Sequence, residues 1–343
     1  MMEKDILLGL TLAEMQEIIT SIGEPKYRAK QIIEWLYQKR ATSFDEMTNL
    51  PKALRDKLDE QYTIGRHDII ARQISKDGTE KYLFSVTHAP DQAIETVYIP
   101  EADRATLCVS SQVGCKMNCS FCHTGKMGFK SNLRPSDIMN QILSVPHHDK
   151  LTNIVFMGMG EPLDNYESVA KVLQIMTADW GLAWSPKRIT VSTIGSKEGL
   201  KKYLSEQQCH LAISIHSPFS VERLSLMPIE KAFPIQSIIE TLKQYDFSGQ
   251  RRLFFEYILF DGFNDSLQHA EALRKLLAPL DCRVNLIRYH SIPDVDLQSP
   301  SPRAVQAFED YLNEHGIRCT TRRSRGEDIF AACGMLSTKK DKQ

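Results

Sequence analysis

From residue 105 onward, short apolar runs alternate with longer segments of helical periodicity. The runs are "ATLCVSS", "NIVFMGMG", "RITVST", "LAISIH", "LFFEYILF" and "VNLIRYH", and helical spacing recurs over 135–144, 166–177, 234–245, 266–278 and 302–315. Strand–helix alternation of this kind predicts right-handed βαβ units on a parallel sheet. Six repeats fit an open doubly wound sheet or a partial barrel, and length and count favour the barrel. The first sixty residues read differently. Thr11 and Glu14 form a capping box, after which Leu12, Met15, Ile18, Ile19 and Ile22 recur at helical spacing. Pro25 and Pro51 open further amphipathic segments, and 68–74 with 81–87 flank Asp77-Gly78 as a hairpin.

The predicted architecture is α/β, a partial (β/α)6 barrel with a small N-terminal helical accessory domain. Its boundaries are helices over 1–64, a β-hairpin connector over 65–100, a core over 101–336 and a polar tail over 337–343. A chain of 343 residues with 42% hydrophobic and 25% charged positions is ordinary for a folded protein and needs no covalent staples. The net charge of −1 excludes broad electrostatic attachment to nucleic acid or membrane, so any such contact is local. Lys26, Arg28, Lys30, Lys39 and Arg40 form a solvated face or a local RNA patch. "MMEKDILLGLTLAEM" is too acidic for a signal peptide and no run spans a membrane, so the expectation is a cytoplasmic protein without membrane contact. In that reducing setting eight cysteines are not a disulfide framework.

Three of them crowd into "GCKMNCSFCHTG": Cys115, Cys119 and Cys122, spaced C-x3-C-x2-C. A structural zinc site wants four ligands, usually as two separated pairs. A [4Fe–4S] cube held by three thiolates instead leaves one iron open to a small chelating molecule. Zinc with His123 as fourth ligand is the alternative. Phe121, just before the last cysteine, could cover a bound adenine. The motif resembles that of the radical S-adenosylmethionine (SAM) superfamily. The resemblance implies that SAM chelates the open iron and is cleaved to a 5′-deoxyadenosyl radical.

Ligands of parallel sheets bind beyond the carboxyl ends of strands. Those ends carry Gly160 and Glu161, Ser192, Ser214 with Ile215 and His216, and His290. The segments "TLCVSSQVGCKMNCSFC", "FMGMGEPLDN", "VSTIG", "SIHSP" and "RGEDIFAACG" resemble, in order, the RlmN/Cfr family of ribosomal RNA adenine methyltransferases. The likeness runs from about residue 95 to 336, and the N-terminal helices look like that family's accessory domain. It implies that Gly160, Glu161, Ser192, Ser214, Ile215 and His216 hold SAM, together with His290 where the family often has Asn.

The resemblance also assigns two isolated cysteines. Cys333 matches the cysteine that becomes S-methylated, Cys108 its resolving partner in a transient disulfide, and Glu95 the proton acceptor, a role Cys108 could share. Adenine C2 does not attack the methyl of SAM, but a thiolate does, which is why a protein carrier is needed. Cys209, Cys282 and Cys319 read as buried small hydrophobes. Arg322, Arg323 and Arg325 supply cations for RNA phosphate, or a basic loop balanced by Glu327 and Asp328. The implied reaction is C2 methylation of a peptidyl-transferase-centre adenine in 23S rRNA, and in some members of the tRNA adenine 3′ of the anticodon. It consumes two SAM per turnover and draws on an electron donor such as flavodoxin or ferredoxin, with the enzyme a monomer. "GEPLDN" and "RSRGEDI" favour this over Cfr-type C8 methylation, which gives antibiotic resistance. A radical SAM enzyme acting on a small molecule would not need Cys333 or Cys108, and a zinc RNA-binding module would need no SAM.

Overall fold

The computed structural model describes residues 4–293 and 295–337. The chain opens with β1 (Asp5–Ile6), α1 (Leu12–Ser21), α2 (Arg28–Tyr37), α3 (Lys52–Gln61) and β2 (Tyr62–Thr63), with β2 parallel to β1. The capping box starts α1: the Glu14 backbone N–H donates to Thr11 Oγ1 at 3.3 Å, and Thr11 N–H returns to Glu14 at 2.8 Å. Each helix buries one stripe, such as Ile32, Ile33, Leu36 and Tyr37 of α2.

Three antiparallel strands follow: β3 (Ile69–Ile74), β4 (Glu80–Val86) and β5 (Ala89–Pro100). The segment expected as a hairpin connector therefore holds a third, twelve-residue strand. That strand pairs antiparallel with β6 (Ala105–Cys108) and so extends the main sheet. The chain continues through β7 (Gln112–Val113), the short α4 (His123–Lys126) and β8 (Ser131–Asn132), then α5 (Pro135–Ser144). Beyond these come β9 (Asn153–Phe156), α6 (Tyr166–Thr177), β10 (Ile189–Thr193), α7 (Lys197–Glu206) and β11 (His210–Ser214). The remaining elements are α8 (Ser220–Leu226), α9 (Ile235–Leu242), β12 (Leu253–Leu259), α10 (Leu267–Leu277), β13 (Cys282–Arg288), α11 (Pro302–Glu314) and β14 (Arg318–Thr321).

The ten-stranded sheet has the order β14-β13-β12-β11-β10-β9-β6-β5-β4-β3. Neighbours from β6 to β14 are all parallel. The six expected strands are present, and β14 adds a seventh. With β14 and β3 at its two edges the sheet does not close, so the α/β architecture is an open partial barrel. Helices cover the outer face, which is why the strands read as continuous apolar runs. One contiguous core runs from Leu7 to Leu336 and includes the accessory helices. Lys171 of α6 pairs with Glu14 of α1 at 2.5 Å, and Gln38 donates to the Gly181 carbonyl at 3.2 Å. Cys209, Cys282 and Cys319 are buried as expected. Of the polar tail, everything after residue 337 lies outside the described residues.

Candidate active site

The inner face of the parallel strands surrounds a cavity of about 760 Å³. Cys115, Cys119 and Cys122 all line it, as do Cys108, Gly160, Glu161, Ser192, Ser214, His216, His290 and Cys333. Residues more than two hundred positions apart thus share one space. Ile215 and Glu95 are the two expected site residues that do not line it.

The cysteine loop is built by close backbone approaches. At Gly114, with φ of +69°, a Cβ would lie 1.8 Å from the Gly128 carbonyl oxygen, so only glycine lets β7 and β8 pinch the loop's base. Ser120 N–H donates to the Leu226 carbonyl at 2.9 Å. His123 N–H donates to the Gly334 carbonyl at 2.7 Å, and Thr124 Oγ1 to the Leu336 carbonyl at 2.8 Å. The loop is therefore braced by α8 and by the segment carrying Cys333.

Among the described residues no group of three or more His, Cys, Asp or Glu side chains could hold a metal ion as it stands. A single zinc would need its sulfurs drawn around one centre. A cube takes each thiolate at a different iron and needs a wider triangle. Burial pushes the Cys115 thiol up to about 12, raises Cys119 well above its usual range, and raises Cys122. Cys119 also feels Cys122 and Cys115 as like charges, which places the three as neighbours. Bound iron would supply the positive charge that such buried thiolates lack. Phe121, Met117, Met227, Ile258 and Phe260 form an apolar shell around them. The donor set fits an iron–sulfur cube.

Opposite the loop stands Glu161, 4% exposed. Its carboxylate accepts from Leu163 N–H and Ile194 N–H, each at 3.1 Å, and from the Thr193 hydroxyl. Burial outweighs these bonds and raises its pKa to about 7. Gly160, at φ +100°, lets the turn press onto β7: a Cβ there would fall 2.7 Å from the Gln112 backbone nitrogen. The same approach lets Glu161 N–H donate to Gln112 Oε1 at 2.9 Å. Gly160→Ala is expected to displace Glu161 and to cost about 1–3 kcal/mol of stability, the usual size of such strain. Urea denaturation of the variant beside the parent reads this directly.

His216 adopts φ +56°, a conformation other residues must enforce. Fully buried Asn264 does so, donating to the His216 carbonyl at 2.6 Å. His216 Nδ1 accepts from Ile258 N–H at 3.0 Å, which leaves the other ring nitrogen to carry the proton. Burial, then Arg223, hold its pKa near 3, so the ring is neutral. It meets Phe121 edge-to-face at 4.7 Å. Ser192 and Ser214 line the inner wall, whereas Ile215 is wholly buried in the core beside them. His290 lies 3.6 Å from Glu327, and burial lowers its pKa.

Cys108, at the end of β6, is raised to about 12 by burial and next by Cys333. Cys333 is exposed to solvent in the cavity, yet enough protein surrounds its thiol to raise it as well. Arg322 opposes the rise at both. Glu95 pairs with Lys81 at 3.1 Å and accepts from Ser337 N–H at 2.8 Å, so it sits behind the Cys333 segment.

The three arginines separate. Arg322 pairs with Glu256 at 3.1 Å and Arg325 lies 3.9 Å from Asp77. Arg323 lines the cavity with no ion pair among the described residues. Glu327 and Asp328 do not balance this loop. Asp328 accepts from Ser75 and from Lys76 N–H, and Glu327 faces His290. Residues that the motifs did not flag include Glu256 and Asn285 on the cavity wall and buried Arg223 beside Cys119. A polar residue inside each of the apolar runs "LFFEYIL" and "VNLI", Glu256 and Asn285, was the available signal.

An open parallel barrel with three clustered thiols and a buried carboxylate facing them defines the radical SAM class. Residues 109–275 match the radical SAM superfamily, and 6–64 match the ribosomal RNA large subunit methyltransferase N-terminal domain. The chain is 58% identical to a probable dual-specificity RNA methyltransferase RlmN of Parabacteroides distasonis, covering 99% of both chains. It is 56% identical to the corresponding protein of Bacteroides thetaiotaomicron, over 100% of this chain and 99% of that one. The crystal structure of a radical SAM methyltransferase from Sphaerobacter thermophilus superposes with a TM-score of 0.91 at 41% identity, covering 97% of this chain and 99% of that one. The chain belongs to the RlmN family of radical SAM RNA methyltransferases. It is an enzyme of RNA methylation, and its family uses SAM and a [4Fe–4S] cluster. No helix among the described residues is long and apolar enough to cross a membrane.

Proposed function

We propose that the protein methylates C2 of a peptidyl-transferase-centre adenine in 23S rRNA, and of the tRNA adenine 3′ of the anticodon, using Cys333 as methyl carrier. The observation that carries this reading is the convergence of Cys108 and Cys333 on the cavity that also holds the three loop cysteines. A radical SAM enzyme acting on a small molecule has no need of that pair. The dual specificity in the names of its relatives supports both RNAs.

Cys115, Cys119 and Cys122 hold the cluster, and Glu161, Ser192, Ser214, His216 and His290 surround SAM with Gly160 giving it room. Glu161 accepts from the ammonium of SAM. Bound there, SAM would supply a methyl by displacement, and the cluster with a second SAM would supply an oxidant that removes a hydrogen atom from the methyl on Cys333. Cys333 sulfur takes the methyl and presents its carbon to adenine C2. A base then removes the C2 proton, the Cys333 sulfur leaves the carbon by bonding to the Cys108 sulfur, which gives up its proton, and the methylene left on C2 takes up a proton to become the methyl. Of the two bases under consideration, Cys108 stands on the cavity wall and Glu95 stands behind the Cys333 segment, on Ser337. Forming the disulfide releases two electrons, which balance the reductive consumption of the second SAM. An outside reductant must restore both thiols before the next turnover. A low-potential donor such as flavodoxin or ferredoxin starts each cycle, and the protein acts as a cytoplasmic monomer.

The deciding experiment is nucleoside mass spectrometry after anaerobic reaction with SAM, reductant and protein-free 23S rRNA. 2-Methyladenosine is the expected product. 8-Methyladenosine would move the protein to the C8 branch, and no methyladenosine from protein that cleaves SAM would overturn the reading.

The raised pKa of Glu161 gives SAM binding a pH dependence. Below about 7 the carboxyl is protonated in the SAM-free enzyme, whereas an ammonium needs the carboxylate. Affinity should therefore be level above pH 7 and fall as pH drops, by at most about ten-fold per unit. Dialysis between pH 5.5 and 8.5 measures it, and Glu161→Gln should bind weakly with no slope.

A further inference from the structure

In β12 the sequence "LFFEYIL" is apolar except for Glu256, whose side chain is 4% exposed. A carboxylate in such a strand must be satisfied by partners. Its Oε1 accepts from Asn285 Nδ2 at 2.8 Å and from Arg322 Nη2 at 3.1 Å. Its Oε2 is buried with no hydrogen-bond partner among the described residues. The strand register aligns Ser214, Glu256, Asn285 and Thr320 as one polar row across four neighbouring strands, and all four line the cavity. The reaction as derived uses only Ser214 of that row.

A carboxylate oxygen is purely an acceptor, and the guanidinium beside it is purely a donor. Together they present adjacent acceptor and donor positions on the cavity wall. The last torsion of Glu256 is soft, so a small turn about it brings Oε2 toward the lumen while Oε1 keeps its bonds to Asn285 and Arg322. Glu256 also stands close enough to Cys333 to disfavour its thiolate, so the pair borders the place where the methyl carbon meets its target. An adenine whose C2 meets that carbon brings its whole Watson–Crick edge there, because C2–H, N1 and the N6 amine lie along that edge. The base must be turned out of its stack to arrive.

Resting on the C2 assignment above, we propose that Glu256 and Arg322 read the flipped adenine, Glu256 accepting from its N6 amine and Arg322 donating to N1. Guanine and hypoxanthine carry the reverse pattern, an O6 acceptor and an N1–H donor, and would meet acceptor with acceptor and donor with donor. Asn285 is a positioning residue that fixes Oε1 and leaves Oε2 for the base. Arg322, expected from the sequence to meet phosphate, is committed to base recognition instead, and Arg323 remains for phosphate.

The test uses the reconstituted holoenzyme and a 23S rRNA fragment carrying adenosine, purine riboside or inosine at the target position. All three keep the C2 hydrogen. Equilibrium binding should weaken about ten- to a hundred-fold from adenosine to purine riboside, and at least as much to inosine. Glu256→Gln, whose amide can present either an oxygen or an N–H, should bring adenosine and inosine within about three-fold of each other while SAM affinity stays unchanged. Equal binding of the three RNAs by the unaltered enzyme overturns the proposal without calling on any variant. So does a Glu256→Gln enzyme that keeps its preference for adenosine and loses SAM affinity, which would assign the carboxylate to a SAM hydroxyl. Loss of the C2 assignment is read separately, as absence of 2-methyladenosine from the adenosine RNA.

Discussion

Cys333→Ala is expected to abolish RNA methylation, by on the order of a thousand-fold or more, while reductive SAM cleavage continues. The two outcomes separate because the residues proposed to surround SAM and the proposed carrier thiol are different. In that proposal the loop cysteines and Glu161 do not depend on the 333 thiol, whereas the methyl carbon has no other nucleophile to rest on. Cys108 cannot substitute: it sits at the end of β6, and burial pushes its thiol to about 12. Assays of 5′-deoxyadenosine and of methylated nucleoside on the same samples distinguish the two activities. Loss of both would place Cys333 among the structural supports of the cluster loop.

Arg223→Met should cost about 3–5 kcal/mol of stability, the loss expected when one member of a buried ion pair is removed. Arg223 has no exposed surface and pairs with Glu230, itself 4% exposed. It also donates to the carbonyls of Ser214 at 3.3 Å and Ile194 at 3.4 Å, tying α8 to the ends of β11 and β10. Without it Glu230 is a buried anion with only Ile235 N–H, at 3.0 Å, to donate to it. Urea denaturation of the cluster-free protein measures the loss. Adding Glu230→Leu to Arg223→Met should recover a large share, because the uncompensated charge, more than the missing contact, carries the cost. A single variant as stable as the parent would refute the account.

Much of the architecture was legible because parallel strands, packed under helices on one face and turned inward on the other, write themselves as mostly apolar runs. The strands that escaped are those whose identity depends on a neighbour. Short and polar β14 is a strand because β13 offers it an edge. The twelve residues of β5 include two prolines and an exposed Pro90-Asp91 pair, and only pairing with β4 and β6 organises them. At the site, local motifs placed the cysteine loop, Glu161 and His216 in the cavity, since each is fixed by nearby backbone. Along "SIH", Ser214 and His216 line the cavity, while Ile215 between them is buried in the core. Arg322 read as one of three equivalent cations, and only the fold brings Glu256 beside it from a strand 66 residues away. Glu95 likewise finds Lys81 across β4 and β5, and Ser337 from the far end of the chain.

The brace between Thr124 and Leu336 spans 212 residues of sequence. A ribosome making this protein finishes the three loop cysteines long before the segment that closes over them. During that interval the thiols are translated but the wall formed by 334–336 does not exist, and an iron–sulfur cube placed there would stand open to oxygen and to stray thiols. A chain cut short before residue 334 would leave the three loop cysteines without that wall.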